Sequence, residues 1–179
     1  AEKSYIILKR RESFITEFNC FFNNSHSIIG GESESPEIKY YTVNTASAEE
    51  LYRILQLKIK EDLRRGSTGT GPQRDDYIFQ NKESVNFNNY ASQGQKRTAS
   101  ISIKLAEFEM IRKIKDKKSI ILVDDIFSEL DEKRRSNMID LLKHKSQIIF
   151  TMVNSDYIKK GIYGDFKIFS VDNGSIYTK

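Results

Sequence analysis

Stretches whose apolar residues recur every three to four positions alternate in this chain with short continuous apolar runs, the marks of helices and of buried strands. Over residues 2–24, Ile7, Phe14, Phe18 and Phe21 fall at spacings of seven, four and three, which predicts a helix packing on that face. Ala1-Glu2-Lys3 enters it without a capping residue, as though cut from something longer. After the Gly30-Gly31 turn, residues 36–43 (PEIKYYTV) have the β-branched and aromatic content of a strand. Ser47 to Glu50 form a capping box that opens a helix through Leu63, with Leu51, Ile54, Leu55 and Ile59 inward. Gly66 to Gly71 interrupt the pattern and mark the main internal boundary.

Beyond it, residues 74–79 (RDDYIF) read as a strand leading into the polar turn NKES. Gln93 to Lys115 form a long helix with two apolar rows: Ala99, Ile103, Ala106 and Met110 on one, Ile101, Leu105 and Phe108 on the other. Two rows predict cover on two sides. A buried strand at 119–124, a helix at 131–144 and a strand at 147–152 follow. Asn173-Gly174 then signals a terminal hairpin with a type I′ turn. Helix, strand, helix, strand describes an α/β lobe with a mixed, partly parallel sheet and flanking helices.

Composition narrows the class. With 179 residues, 38% hydrophobic, 30% charged and two prolines, the chain suits a globular protein with a real core. No run of about 18 apolar residues and no signal-peptide pattern occur, so a cytoplasmic protein without a membrane span is expected. The net charge of +4 is compatible with nucleic acid. The single cysteine, Cys20, lies in the aromatic run FNCFF and is read as a small core residue. His26 and His144 have no companions at ligand spacing and are assigned to a surface loop and a helix end. Lys113, Lys115, Lys117 and Lys118 are read as a solvated helix end.

Gly66-Ser-Thr-Gly-Thr-Gly71 has the glycine spacing of a phosphate-binding loop, but Pro72-Gln73 follow where a lysine and a hydroxyl residue are needed. Proline lacks an amide donor, and no lysine reaches toward the phosphates. The chemistry lies elsewhere. Asp124 and Asp125 end the apolar run IILV, at a strand end where a carboxylate can hold Mg²⁺ and a neighbour can orient water. Alternatively the pair is an exposed acidic turn. Ser128-Glu129-Leu130-Asp131 follow at a fixed short distance, Asp131 placed to cap the next helix. Ala91 to Arg97 (ASQGQKR) open the doubly covered helix with a hydroxyl, free amides and basic residues, a combination suited to an anion. An ordinary capped helix is the plainer account.

In order, Gly71-Pro72-Gln73-Arg74-Asp75-Asp76, Ser92 to Arg97, and Ile121 to Asp125 with Ser128 to Asp131 resemble the motifs of the RecF family of bacterial recombination mediators. These are ABC-type ATPases related to the heads of structural-maintenance-of-chromosomes proteins. The resemblance implies the C-terminal part of such a head, with a partial helical lobe at 1–65 and ATPase-lobe sequence at 66–179. The phosphate loop would belong to an N-terminal segment outside this chain. It implies Asp124 as the Mg²⁺ residue, Asp125 as the carboxylate that positions water, and Ser128, Glu129, Leu130 and Asp131 as the D-loop. Ser92, Gln93, Gly94 and Gln95 would be the signature, contacting ATP bound by the opposite subunit of an ATP-dependent homodimer. Gly71, Pro72, Arg74, Asp75 and Asp76 match a family motif without an assigned role; structural pairing is the favoured account. Arg64, Arg65, Lys96 and Arg97 are candidates for DNA or phosphate contact.

By the same resemblance the whole protein is a slow, DNA-dependent ATPase that acts in the SOS response. It would clamp double-stranded DNA near single-strand gaps in the nucleoid and, with RecR and RecO, assist RecA loading. This chain alone should neither hold ATP and Mg²⁺ tightly nor hydrolyse ATP. Gln73 stands where the family usually has histidine, and Met152 occupies the switch position after the strand IIFT. Two other classes compete. A signalling receiver also opens with VDD at a strand end, but its next strand should carry an aspartate and QIIFTM has none. A non-catalytic DNA or protein interaction module retaining these motifs is the remaining alternative.

Overall fold

The first helix, α1 (Glu2–Gly30), is built on a seven-residue repeat: Leu8, Ile15, Phe22 and Ile29 are buried, with Phe18, Ser25 and His26 between them. The computed structural model describes residues 1–31, 36–81, 83, 85–115, 119–143, 145–153 and 166–178. The packed face differs from the expected one. Ile7 and Phe14 are 42% and 48% exposed, and of the four predicted residues only Phe18 is buried. The run Ile6-Ile7-Leu8 offers three adjacent faces, and the partners across the core, not the spacing alone, select the one through Leu8.

Two further expectations for α1 are corrected. The helix continues past residue 24, so His26 lies in it, buried, with its ring against Phe22 at 5.6 Å between centroids. Cys20 is exposed rather than in the core, its thiol donating to the Thr16 carbonyl.

Strand β1 (Glu37–Tyr41) pairs antiparallel with β2 (Asp76–Gln80), from Glu37 opposite Gln80 to Tyr41 opposite Asp76. Asn19 of α1 ties the pair down, its side chain bonding both the amide and the carbonyl of Ile38. β2 begins later than expected because Pro72 to Arg74 form a 3-10 turn, for which proline presets φ. Between the strands, α2 (Ala48–Arg65) opens on the predicted capping box: Ser47 Oγ accepts from the Glu50 amide, and Glu50 reaches back to the Ala46 amide. Only its first half is packed, with Leu51 fully buried but Ile59 42% exposed, contrary to expectation. Gly66 ends it at φ 70°.

After α3 (Phe87–Tyr90), helix α4 (Gln93–Lys115) runs between two cores. Ala99, Ala106 and Met110, with Ile103, join Ile15, Phe18, Phe22, Ile38 and Phe87 in one. Leu105 and Ile101 face the other, formed with Val123, Phe127, Leu130, Met138, Ile139 and Leu142. The two apolar rows therefore do what their spacing predicts except at Phe108, which is half-buried and joins neither core; each fully buried large side chain contributes about 1.5–3 kcal/mol. Lys113 and Lys115 lie exposed at the helix end, Lys113 paired with Glu17 at 2.6 Å; Lys117, Lys118 and His144 fall outside the described residues, as does part of the predicted NKES turn.

β3 (Ile120–Asp124), α5 (Glu132–Leu142) and β4 (Gln147–Thr151) form a unit in which the two strands run parallel, Ile120 beside Gln147 and Asp124 beside Thr151. β3 is not buried as expected. Its inner residue Val123 is, but Ile120 and Leu122 are 58% and 73% exposed. β5 (Phe169–Asp172) and β6 (Ser175–Thr178) close the chain as the predicted hairpin, with φ of 49° at Asn173 and 78° at Gly174 as a type I′ turn requires.

Candidate active site

β3 delivers Asp124 and Asp125 to an exposed strand end. The Asp124 carboxylate accepts from the hydroxyl of Thr151, the residue level with it on β4. Asp125 turns the chain at φ 45°, a left-handed conformation uncommon outside glycine. Its amide donates to the Thr151 carbonyl at 3.1 Å, and its own carbonyl accepts from Ser128 Oγ at 2.8 Å. Thr151 thus holds both aspartates, a role the sequence reading missed; the signal was a polar residue closing the apolar run Ile148-Ile149-Phe150.

The segment after Asp125 is a 3-10 turn, Ile126–Glu129, whose Phe127 is buried and stacks on Phe150. Leu130 is buried while Ser128, Glu129 and Asp131 are exposed, so apolar anchors hold a polar rim outward. Asp131 caps α5 as predicted, accepting from the Arg134 amide at 2.9 Å.

At the start of α4, Ser92 and Gln95 form a reciprocal box: Ser92 Oγ accepts from the Gln95 amide (3.2 Å) and Gln95 Oε1 from the Ser92 amide (2.8 Å). The plainer account of this turn is therefore correct as local structure. It does not exhaust the turn, because the Ser92 hydroxyl hydrogen and the first-turn amides of Gln93 and Gly94 lie outside the helical ladder, at its positive end. Lys96 reaches the Asn88 carbonyl at 3.2 Å, and Arg97 pairs with Glu129 at 3.2 Å, joining this turn to the segment after β3. Between α4 and β3 lies a cavity of about 560 Å³ with Ile101, Leu105, Phe108, Ile120 and Leu122 in its wall and Lys96 and Arg97 at its rim.

The segment Gly71 to Asp76 belongs to a different place. Asp75, its side chain 2% exposed, accepts from Arg11 of α1 at 2.8 Å, from Tyr40 and from Thr42 at 2.6 Å. Asp75 and then Tyr40 hold the Arg11 guanidinium above its ordinary pKa. Burial first, and the bond to Asp75 second, raise the Tyr40 phenol. Arg74 instead bonds the Thr68 carbonyl and Ser67 hydroxyl, and Asp76 accepts from the Tyr77 amide. The glycine-rich loop is tied by Asp62, which accepts from the Gly69 amide, and by Gln73, which donates to the Thr70 carbonyl. Arg64 and Arg65 are exposed at the end of α2, Arg65 paired with Glu61 at 2.5 Å.

No family profile matches the chain. Among curated proteins it is 32% identical over 97% of its length to the DNA replication and repair protein RecF of Lactobacillus johnsonii, 34% over 98% to that of Clostridium kluyveri, and 36% over 97% to that of an Exiguobacterium species. The chain belongs to the RecF family. It corresponds to the C-terminal half and spans about half the length of the RecF relatives it matches. The fold agrees: a RecF structure with an ATP analogue from the RecFOR pathway superposes on 99% of this chain and 47% of its own, at TM-score 0.71 and 28% identity. An SMC ATPase structure, at TM-score 0.56 and 14% identity over 98% of this chain and 88% of its own, shares the fold alone. Of the two departures from the RecF family pattern, Met152 is half-buried against the second core and Gln73 is exposed.

Proposed function

We propose that the chain supplies the signature, the Mg²⁺-holding strand end and the D-loop of a RecF-type, ATP-dependent clamp on double-stranded DNA that serves recombinational repair. The observation that carries this reading is the superposition of nearly the whole chain on ATP-bound RecF. Residues 1–65 are then the partial helical lobe and 66–179 the C-terminal part of the ATPase lobe. The donor chemistry fits the cofactors. Mg²⁺ keeps several waters and takes one or two carboxylates together with phosphate oxygens, which suits an exposed Asp124 steadied by Thr151. When bound, the cation neutralises phosphate charge.

The residues of this chain then have distinct tasks. Asp124 accepts the cation and Asp125, turned away from the strand, orients water. Ser92 offers its hydroxyl hydrogen, and Gln93 and Gly94 their amides, to the terminal phosphate of a nucleotide held by a second subunit; Gln95 steadies Ser92 for that contact. Ser128 to Asp131 line the same subunit boundary as the D-loop. Lys96, Arg97, Arg64 and Arg65 are candidates for contact with DNA backbone, a charge-driven and salt-dependent contact. Gapped DNA, RecR, RecO and RecA are the expected partners of the whole protein, in the cytoplasm at the nucleoid. Gly71, Pro72 and Arg74 to Asp76 serve structure.

ATP hydrolysis, with and without double-stranded DNA, tests this in a mixture of the chain with a RecF-family N-terminal half carrying a phosphate loop. Turnover should appear only in the mixture and fall at least 100-fold with Asp124→Ala. Halves that co-purify without turnover would overturn the ATPase assignment.

A further inference from the structure

A polar chain, buried at Thr98 and reaching the surface at Asp131, joins the turn that opens α4 to the loop after β3. Thr98, fully buried, donates its hydroxyl to the Gly94 carbonyl at 3.0 Å and accepts from Arg134 Nη1 at 2.7 Å. Arg134, in the first turn of α5, places Nε 3.3 Å from Asp131 Oδ2. The other oxygen of Asp131 accepts from the Arg134 amide. A hydroxyl has a single hydrogen, so Thr98 can serve Gly94 only if its lone pairs face the guanidinium; each end fixes the direction of the other. The Thr98 carbonyl accepts from the buried Ser102 hydroxyl at 2.7 Å, which holds this residue in place from the next turn. Arg134 Nη1 also lies 3.3 Å from where a Cβ on residue 94 would stand, a tight contact that glycine avoids.

A second link between the two segments, at the surface, is weaker. Arg97 and Glu129 are each about half exposed, and such pairs are worth little in water. Rigidity at the junction therefore falls to the buried bond between Thr98 and Arg134 rather than to either exposed carboxylate.

We propose that Thr98 and Arg134 are positioning residues that lock the Ser92–Gln95 turn to Asp131, so that the two segments respond as one body. Neither residue needs to touch nucleotide. What the coupled segments do rests on the ABC-type reading above, whereas the coupling is a property of this chain and is measured without ATP.

Amide hydrogen exchange provides the measurement. The amides of Gln95 and Lys96, bonded to Ser92, report on one segment, and the Arg135 amide, bonded to the Asp131 carbonyl, reports on the other. Thr98→Val removes the hydroxyl and keeps the shape. It should speed exchange about tenfold at all three amides, and Thr98→Ser should bring them back within twofold. Asp131→Ala, at the exposed far end, should speed Gln95 and Lys96, which it does not touch. It remains decisive if Thr98→Val loosens the whole fold. Acceleration confined to the altered side overturns the coupling. In the reconstituted ATPase, Thr98→Val should lower kcat about tenfold with the ATP half-saturation unchanged, and Thr98→Ser should restore it. An unchanged kcat overturns the positioning role; a wild-type mixture without turnover counts against the ABC-type reading and leaves the coupling to be judged by exchange.

Discussion

The core around α1 and the unit built on β3 and β4 handle the same problem differently. In the first, Phe22 is fully buried and even the carboxylate of Asp75 is enclosed and bonded by Arg11, Tyr40 and Thr42. In the second, one face is packed through Val123, Phe127 and Leu142 while Ile120, Leu122 and Ile149 remain 58%, 73% and 47% exposed. A sheet covered on one side retains only that side's share of hydrophobic stabilisation. The difference places the better-enclosed packing in the α1 core and the acidic strand end in the less protected unit.

Substitutions sharpen that contrast. The largest expected effect is Phe22→Ala, about 3–5 kcal/mol lost in urea unfolding, from the transfer and cavity costs of a fully buried ring. Next comes Asp75→Ala, about 2–3 kcal/mol, because three donors lose their acceptor; Arg11, 39% exposed, recovers some water and keeps the figure below that of a fully enclosed pair. A melting temperature unchanged by Asp75→Ala would break the contrast.

Tyr40 adds a pH dependence to the same core, because burial first and the bond to Asp75 second raise its phenol. Its phenol titrates higher in the folded chain than the ordinary 10.0, so its contribution is complete below pH 10 and is lost as pH rises through the folded value. Tyr40→Phe should flatten that alkaline limb of stability; an alkaline limb identical in the variant would assign it to other groups. The smallest effect belongs to the other region: Leu122→Ala should change stability by less than about 0.5 kcal/mol, since most of that side chain is already in water. A loss near that of Phe22→Ala would mean that β3 is covered on both faces in solution.

Local chemistry was legible in the sequence where neighbours decide it. The Ser47 and Asp131 caps, the Asn173-Gly174 turn and the span of α4 depend on residues within a few positions, and all stand where the pattern puts them. The packed face of α1 was not, because three consecutive apolar residues compete and the choice is made by Ile38, Phe87 and Ala99, all distant in sequence. Burial of His26 followed from the same choice. Asp75 was read only as one member of a motif, since its partners lie 33 to 64 positions away. At the site, the acidic strand end and the Ser92 turn could be picked out as motifs, but Thr151, Thr98 and Arg134 required the pairing of strands and helices to be known.

The turn at Asp125 has an evolutionary consequence. A left-handed backbone costs a residue with a Cβ about 1 kcal/mol more than glycine, and Asp125 stands there at φ 45°. Selection for stability alone would favour glycine at this position and erase the carboxylate. If the acid is what the protein needs, lineages keep a slightly less stable turn, and a consensus or stability-guided redesign that replaces Asp125 would yield a sturdier chain with its chemistry removed.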